Sequence, residues 1–438
     1  DSNLILRGFG ATYLSPRFES AKSDRILMKK QTPDGPLSGI RVLDMSRILA
    51  GPSCTQMLGD MGADVIKIER PGSGDDTRDW GPPYLRDAQG QDTYESAYYL
   101  CTNRNKRSLA VDIAREEGQD LIRQLSSRAD VLVENFKVGG LDKFGLDYGS
   151  LHGLYPDLIY CSITGFGQTG PYAQKPGYDF MIQAMGGVMS ITGEPEGKPM
   201  KVGVAIVDVM CGMYATVAIL GALRHRDQGG GGQHIDLALL DTHTAWLINV
   251  GMNYLTSGQP PRRYGNGHAN IVPYQPFPSS DGHFILTIGN NAQFRRFCEF
   301  AEIPEIPDDP RFAHNSDRVK NRDLLVELIS RATSRKTKGH WLQGLIDLGV
   351  PCGPLNTVPE VFADPQVRHR QMEFRMDHPL AGKEGMKMIG NPIRYSETPV
   401  SYRRPPPLLG EHSREILKDW LNLEDGEITC LEEKQVLA

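Results

Sequence analysis

One carboxylate interrupts the longest apolar run of this chain. The run is Val202–Leu223, VGVAIVDVMCGMYATVAILGAL, and the carboxylate is Asp208. A run of this length is enough to cross a bilayer, but an ionisable group inside it demands a reason. Its glycines and the polar loops beside it favour a buried core helix instead. The pattern predicts a buried strand end or loop over Val202–Val207 and a tightly packed helix over Val209–Arg224, with Asp208 at the turn in the N-cap position. Gly212, Ala215, Ala218 and Ala222 make one side of that helix small, so another backbone can come close. Asp208 then has two readings, a cap that accepts a backbone N–H or a reactive carboxylate in dry surroundings. The run alone leaves both open.

Upstream, short apolar strands alternate with helical segments. Gly39–Asp44, Ala63–Glu69, Leu109–Asp112, Asp130–Asn135 and Leu158–Thr164 read as strands. Gly51–Met61, Glu116–Ser127 and Tyr178–Met185 read as helices. Such alternation implies a mostly parallel α/β layer with right-handed crossovers. After the linker Gly229–Gly232, Ile235–Tyr254 reads as helix, Pro260–Ser280 as a loop or hinge, and His283–Ile288 as a strand. Gln293–Phe300, Arg318–Thr333 and Thr337–Leu348 form a helical group, and the tail carries helices at Ser413–Leu421 and Asp425–Gln435. The expected layout is an extension over 1–36, a large domain over 37–228, a smaller α+β domain over 233–370 and a C-terminal segment over 371–438.

Several function classes are unsupported. A net charge of −6 leaves no overall basic footprint for nucleic acid. The 7 cysteines are scattered, with no metal-ligand spacing or disulfide framework, and no Cys, His or carboxylate cluster suggests a metal. There is no H-E-x-x-H and no G-x-S-x-G for a hydrolase. Gly165–Gly170 (GFGQTG) matches G-x-G-x-x-G after a strand, yet Pro171 follows at once and no helix opens on the third glycine, so dinucleotide binding is not supported. What the strand ends do carry is cations: Arg47, Lys67 and Arg70, then Arg104, Lys106 and Arg107, then Lys137 and Lys143. Singly, each is an ordinary surface charge. Following different strands, they can converge at one sheet edge, as a phosphorylated nucleotide would require.

Eight segments occur in order: VLDMSRILAGPSCTQMLGDMGADVIKIERP (42–71), NRNKRSLAVD (103–112), DVLVENFKVGGLDKFG (130–145), GYDFMIQAMGGVMSITG (177–193), VAIVDVMCGMYA (204–215), GNGHANIVPYQPF (265–277), VPCGPLNTVPEVFADPQV (350–367) and PPLLGEHSREIL (406–417). As a set they resemble the family III CoA-transferases, which also include formyl-CoA transferase, carnitine CoA-transferase and α-methylacyl-CoA racemase. Within that family the chain looks most like the eukaryotic members that move CoA from succinyl-CoA to glutarate or hydroxymethylglutarate. The resemblance implies a Rossmann-like large domain with a mostly parallel sheet, a smaller α+β domain, and a C-terminal segment returning to the large domain. It also implies an interlocked homodimer and a mitochondrial matrix location. Residues 1–36, with six Lys or Arg against four Asp or Glu, are compatible with a targeting remnant.

By the same resemblance Asp208 is the nucleophile. CoA contacts fall on Ala50, Arg70, Val111, Asp112, Ile113, Ala114, Asn135, Phe136 and Lys143. Lys143 stands where formyl-CoA members have Arg, and Leu49 where they have Gln. Substrate-side positions are Tyr178, Asp179, Gly265, Asn266, Gly267 and His268, with Arg262, Arg263 and His268 as candidates for a distal carboxylate; Glu194 reads mainly as a surface or capping acid. CoA thioesters are substrates, no cofactor is tightly bound, and neither nucleic acid nor membrane is a partner. The expected chemistry passes through an aspartyl anhydride and an aspartyl-CoA thioester, with the helix dipole and N–H donors keeping Asp208 ionised. An acyl-CoA racemase or epimerase of the same family is the alternative, but those enzymes carry His where this chain has Tyr178, and a phenol with a pKa near 10 is a poor base. A non-catalytic CoA-binding protein is a third reading.

Overall fold

The computed structural model describes residues 35–437, so nearly all of the expected N-terminal extension lies outside the described residues. Six strands, β1 (Arg41–Asp44), β2 (Asp64–Glu69), β3 (Lys106–Ala110), β4 (Val131–Glu134), β5 (Ile159–Thr164) and β6 (His234–Ala238), form a sheet of order β3–β2–β1–β4–β5–β6. Every pairing is parallel, which makes the large unit α/β. Successive strand residues point to opposite faces. Val42, Val65, Val133 and Cys161 therefore fill one core with helices α1 (Ala50–Asp60) and α4 (Ile206–Asp227). Their neighbours Leu43, Ile66, Leu132 and Tyr160 fill the other with α2 (Glu116–Ser126) and the C-terminal helix that carries Ile416, Leu417 and Trp420.

Three local expectations are corrected. β3 starts at Lys106, because Lys106 and Arg107 are buried on ion pairs and behave as sheet residues despite their charge. The expected helix over Ile235–Tyr254 is instead β6 followed by α5 (Leu239–Ala245) and α6 (Ile248–Ser257). Ile235 and Leu237, two apart, both pack on the α1–α4 core, and the backbone pairs with β5 from Tyr160↔His234 to Thr164↔Ala238. That period of two overrides the local helical pattern, and it places residues 234–238 in the large sheet. Finally, α4 begins at Ile206, so Asp208 lies in its first turn and is not the N-cap. Gly212 in α4 faces the carbonyl of Ala50, where an added Cβ would lie 2.6 Å from that oxygen. The small side of α4 thus brings Asp208 close to the start of α1.

The smaller unit packs an antiparallel sheet of β7 (Tyr274–Ser279), β8 (Gly282–Thr287) and β9 (Cys352–Pro354) against α7 (Asn291–Phe300), α8 (Arg322–Thr333) and α9 (Lys338–Asp347). Its core is aromatic, with Phe277, Phe284, Phe294, Phe297 and Trp341 buried. The C-terminal residues pack back on the large sheet: the His412 N–H donates to the Ser108 carbonyl at 3.1 Å, and Val111 bridges Leu437.

Candidate active site

The turn after β1 sits at the sheet's point of reversal, between β2 and β4, where open α/β sheets bind ligands. Its backbone is strained. Ile48 has φ of +72°, a region that β-branched residues rarely adopt. Both flanks are pinned by polar contacts. The Arg47 N–H donates to Asn135 Oδ1 at 2.9 Å and Asn135 Nδ2 donates to the Arg47 carbonyl at 2.7 Å. The Ile48 N–H meets the Asp75 carboxylate at 3.2 and 3.3 Å. Asp75 is in turn bonded to Lys67 Nζ at 2.8 Å, with both side chains fully buried. Against the upward push of burial, Lys67 holds the Asp75 carboxyl down at about 2.

Beneath this turn lies a second buried pair. Lys106 Nζ donates to Asp44 at 3.0 Å, to the Pro52 carbonyl at 3.0 Å and to Asn103 at 2.9 Å. Asp44 also accepts from the Ser46 N–H, Ser46 Oγ and Thr55 Oγ1. Burial pushes Asp44 up, but Lys106 and Lys67 outweigh it and keep the carboxyl below its usual range. The expected convergence of cations on one ligand is therefore corrected in part. Lys106 is spent inside the sheet, Arg104 on Asp60 and Arg107 on Asp64. Lys67 reaches the cleft wall but is paired, whereas Arg70 and Lys143 line the cleft with no carboxylate partner among the described residues.

Two adjoining cavities open here, sharing Arg47 and Phe136 in their walls. The larger, about 730 Å³, contains Arg70, Val111, Asp112, Ile113, Ala114, Phe136 and Lys143, seven of the nine positions expected to contact CoA. It falls in the range of roughly 300–1,000 Å³ usual for small-molecule sites. The smaller, about 150 Å³, is lined by Ala50, Asn135, Phe136, Tyr178 and Asp208. Residues from the ends of several strands thus meet, although they lie far apart in sequence. The G-x-G-x-x-G stretch forms turns, with φ of +88° at Gly167 and +95° at Gly170, and opens no helix. Its first glycine has a different use. Gly165 crosses Gly177 so closely that a Cβ on Gly165 would lie 2.6 Å from the Gly177 Cα. This crossing sets the 173–178 segment over the end of β5.

Asp208 is 9% exposed, and its carboxylate receives no hydrogen bond among the described residues. The donors at the start of α4 go to Asp179 instead. Asp179 Oδ1 accepts from the Val207 N–H at 2.8 Å and the Asp208 N–H at 3.4 Å, while Gln183 Nε2 donates to Oδ2 at 2.7 Å. Asp179, in the first turn of α3 (Asp179–Met185), is therefore the cap of α4. The expected ionisation of Asp208 by the helix end is corrected accordingly. Desolvation, and then the Asp179 charge, push its carboxyl up to about 7. Tyr98, raised to about 12 by burial and then by Asp208, is a neighbour that no sequence pattern singled out.

The substrate-side loop lies elsewhere. Gly265, Asn266, Gly267 and His268 line neither cavity. The Gly265 N–H donates to the Gly193 carbonyl at 3.1 Å, and the His268 N–H to Tyr274 at 3.1 Å. Arg263 is occupied by the carbonyls of Glu194, Pro195 and Gly197, and the His268 carbonyl accepts from Arg322 at 2.7 Å. Conversely, Lys137, expected among the converging strand-end cations, joins Asp208 in the smaller cavity, and so does Lys175, which no sequence pattern singled out. Lys175 lies in a Pro- and Gly-rich stretch with no periodicity to mark it.

A parallel sheet thus carries a cleft lined by two cations with no carboxylate partner among the described residues, and an isolated buried carboxylate stands beside it. Residues 37–413 fit CoA-transferase family III. The chain belongs to that family. It is a CoA-transferring enzyme whose family takes CoA thioesters as substrates. It is similar to a protein of Agrobacterium fabrum named succinate–glutarate CoA-transferase, 51% identical over 391 residues that cover 89% of this chain and 96% of that one. A Homo sapiens protein named succinyl-CoA:glutarate CoA-transferase is 43% identical over 393 residues, 90% of this chain and 88% of the relative. A crystal structure of a CAIB/BAIF family protein from Brucella suis superposes with a TM-score of 0.77 at 48% identity, covering 88% of this chain and 99% of that one.

Proposed function

We propose that this CoA-transferase moves CoA from succinyl-CoA to a dicarboxylic acid such as glutarate, with Asp208 as the covalent relay. The observation that carries the reading is the Asp208 carboxylate itself, buried, without a hydrogen-bond partner among the described residues, and set in a small cavity that adjoins the larger cleft. The names of the similar Agrobacterium and human proteins support the choice of donor and acceptor. Arg70 and Lys143 suit the phosphates of CoA, which take charge-assisted hydrogen bonds. The thioester then reaches the smaller cavity past Phe136.

In the first step an Asp208 oxygen attacks the succinyl carbonyl carbon. The C–S bond breaks, CoA leaves as its thiolate, and a succinyl–aspartyl anhydride remains. The thiolate attacks the aspartyl carbonyl, the anhydride C–O bond breaks, and succinate departs from an aspartyl-CoA thioester. The acceptor carboxylate repeats the sequence in reverse, ending as its CoA ester with Asp208 regenerated. No proton or electron is consumed overall. Each step is an acyl transfer between groups of similar reactivity, which divides one difficult exchange into easier ones. The sparse hydrogen bonding of Asp208 favours attack, since the nucleophile sheds little solvation. Incubation with succinyl-CoA without acceptor, followed by rapid acid quench and peptide mass spectrometry, is expected to find CoA attached to the peptide containing Asp208. An unmodified Asp208 peptide throughout turnover would sink the reading.

The expected homodimer belongs to the same proposal. Val217 on α4 is 68% exposed, and Ile248 and Leu255 on α6 are 67% and 74% exposed, apolar side chains that a second copy would cover. Light scattering is expected to give twice the chain mass; a monomeric mass in an active sample would overturn it.

A further inference from the structure

The cavity around Asp208 is unusually cationic for its size. Asp208 is its one acidic lining residue, set against Arg47, Lys137 and Lys175. Arg47 shares an ion pair with Asp76 at 2.6 Å, but Lys137 and Lys175 have no carboxylate partner among the described residues. The Lys175 ammonium stands 3.8 Å from the centroid of the Tyr172 ring, a contact that orients it without neutralising it. Its segment is held in place by the Gly165–Gly177 crossing. Leu49, Phe136 and Leu239 add apolar wall to the same cavity. A ligand matching this wall has one carboxyl at Asp208, a short run of methylenes and a second negative charge at the lysines. Within one chain the 262–268 loop lines neither cavity, and its Arg263 is held by three carbonyls.

We infer that Lys175 and Lys137, seconded by Arg47, form the subsite that reads the distal carboxylate of the dicarboxylic acyl group. The inference rests on the reading of Asp208 as the relay, and its test separates the two. A single donor, succinyl-CoA, is offered to equal concentrations of glutarate and pentanoate, and the ratio of the two CoA-ester products is measured. Both acids compete for the same loaded enzyme, so the ratio is blind to donor binding. The ratio is expected to favour glutarate strongly in the unaltered enzyme. It should fall about tenfold in Lys175→Met or Lys137→Met and about a hundredfold in the double variant, as expected for cations in a partly screened cavity. Lys175→Arg should keep most of it. An unchanged ratio in the double variant overturns the subsite while leaving the relay intact, and assigns these lysines to CoA or to solvent. Should the double variant lose all transfer, calorimetric binding of glutarate decides: binding weakened tenfold or more supports the subsite, and undiminished binding overturns it. Failure of the unaltered enzyme to transfer CoA to either acid would overturn the dicarboxylate reading, and the subsite with it.

Discussion

Asp208→Asn is expected to lower transfer about 10⁴-fold or more, because the amide can neither attack a thioester nor carry CoA. Binding of CoA esters should persist, since the larger cleft is built from other residues. The same substitution makes a second, opposite prediction about stability. Burial, and then Asp179, raise the Asp208 carboxyl from 3.8 to about 7, and each tenfold change in proton affinity is worth ~1.4 kcal/mol. The sign follows from the direction. Below about pH 4 the carboxyl is protonated in folded and unfolded chains alike, and nothing is lost. As pH rises toward 7 the unfolded chain ionises first, so stability declines until the folded group ionises too. Above pH 7 the folded protein carries the whole cost, about 4 kcal/mol at most. Asn escapes that cost but leaves a buried amide without partners, worth about 1–3 kcal/mol the other way. The variant is therefore expected to melt higher than the parent at pH 8 and to lose that advantage at pH 4. Equal differences at both pH values would show that Asp208 is not held out of its normal range. Activity of the parent should fall as pH drops through about 7, as the attacking carboxylate is protonated.

The second large effect is expected at Lys106, which contacts no ligand. Lys106→Met removes the ammonium from Asp44, and the carboxylate stays fully buried beside one fewer cation. Breaking one side of such a pair costs about 3–5 kcal/mol, seen as a lower urea midpoint. Lys106 also donates to the Pro52 carbonyl at the start of α1, and Asp44 holds Ser46, the residue before Arg47. Transfer should thus fall with stability. Pairing the change with Asp44→Asn should recover part of the midpoint, because the orphaned charge is gone. A single variant with an unaltered midpoint would mean that Lys106 does not compensate Asp44.

Lys106 and its neighbour Arg107 illustrate how unevenly the structure was legible. Lys106 and Arg107 read as surface charges at a strand end, and only their pairing with Asp44 and Asp64 turns them into interior strand residues. Segment 235–238 read as helix because its local composition permits one. The open edge of β5 decided otherwise. The strands β1, β2, β4 and β5 were plain from their apolar runs, since a parallel strand buried on both faces needs few polar residues. Seven of the nine expected CoA positions line one cleft. The family resemblance supplied those positions; periodicity did not.

Asp208 divides in the same way. The sequence by itself determined that a lone carboxylate stands in the most apolar run, that the following helix is small on one side, and that the surrounding segments match the family. These are properties of residues close along the chain. Only the tertiary structure decided that Asp179 takes the helix-end donors, that Asp208 is left without hydrogen bonds, and that its carboxyl is pushed up to about 7. Hydrogen bonding and desolvation depend on which distant groups arrive alongside, and a pattern read along the chain carries no record of them.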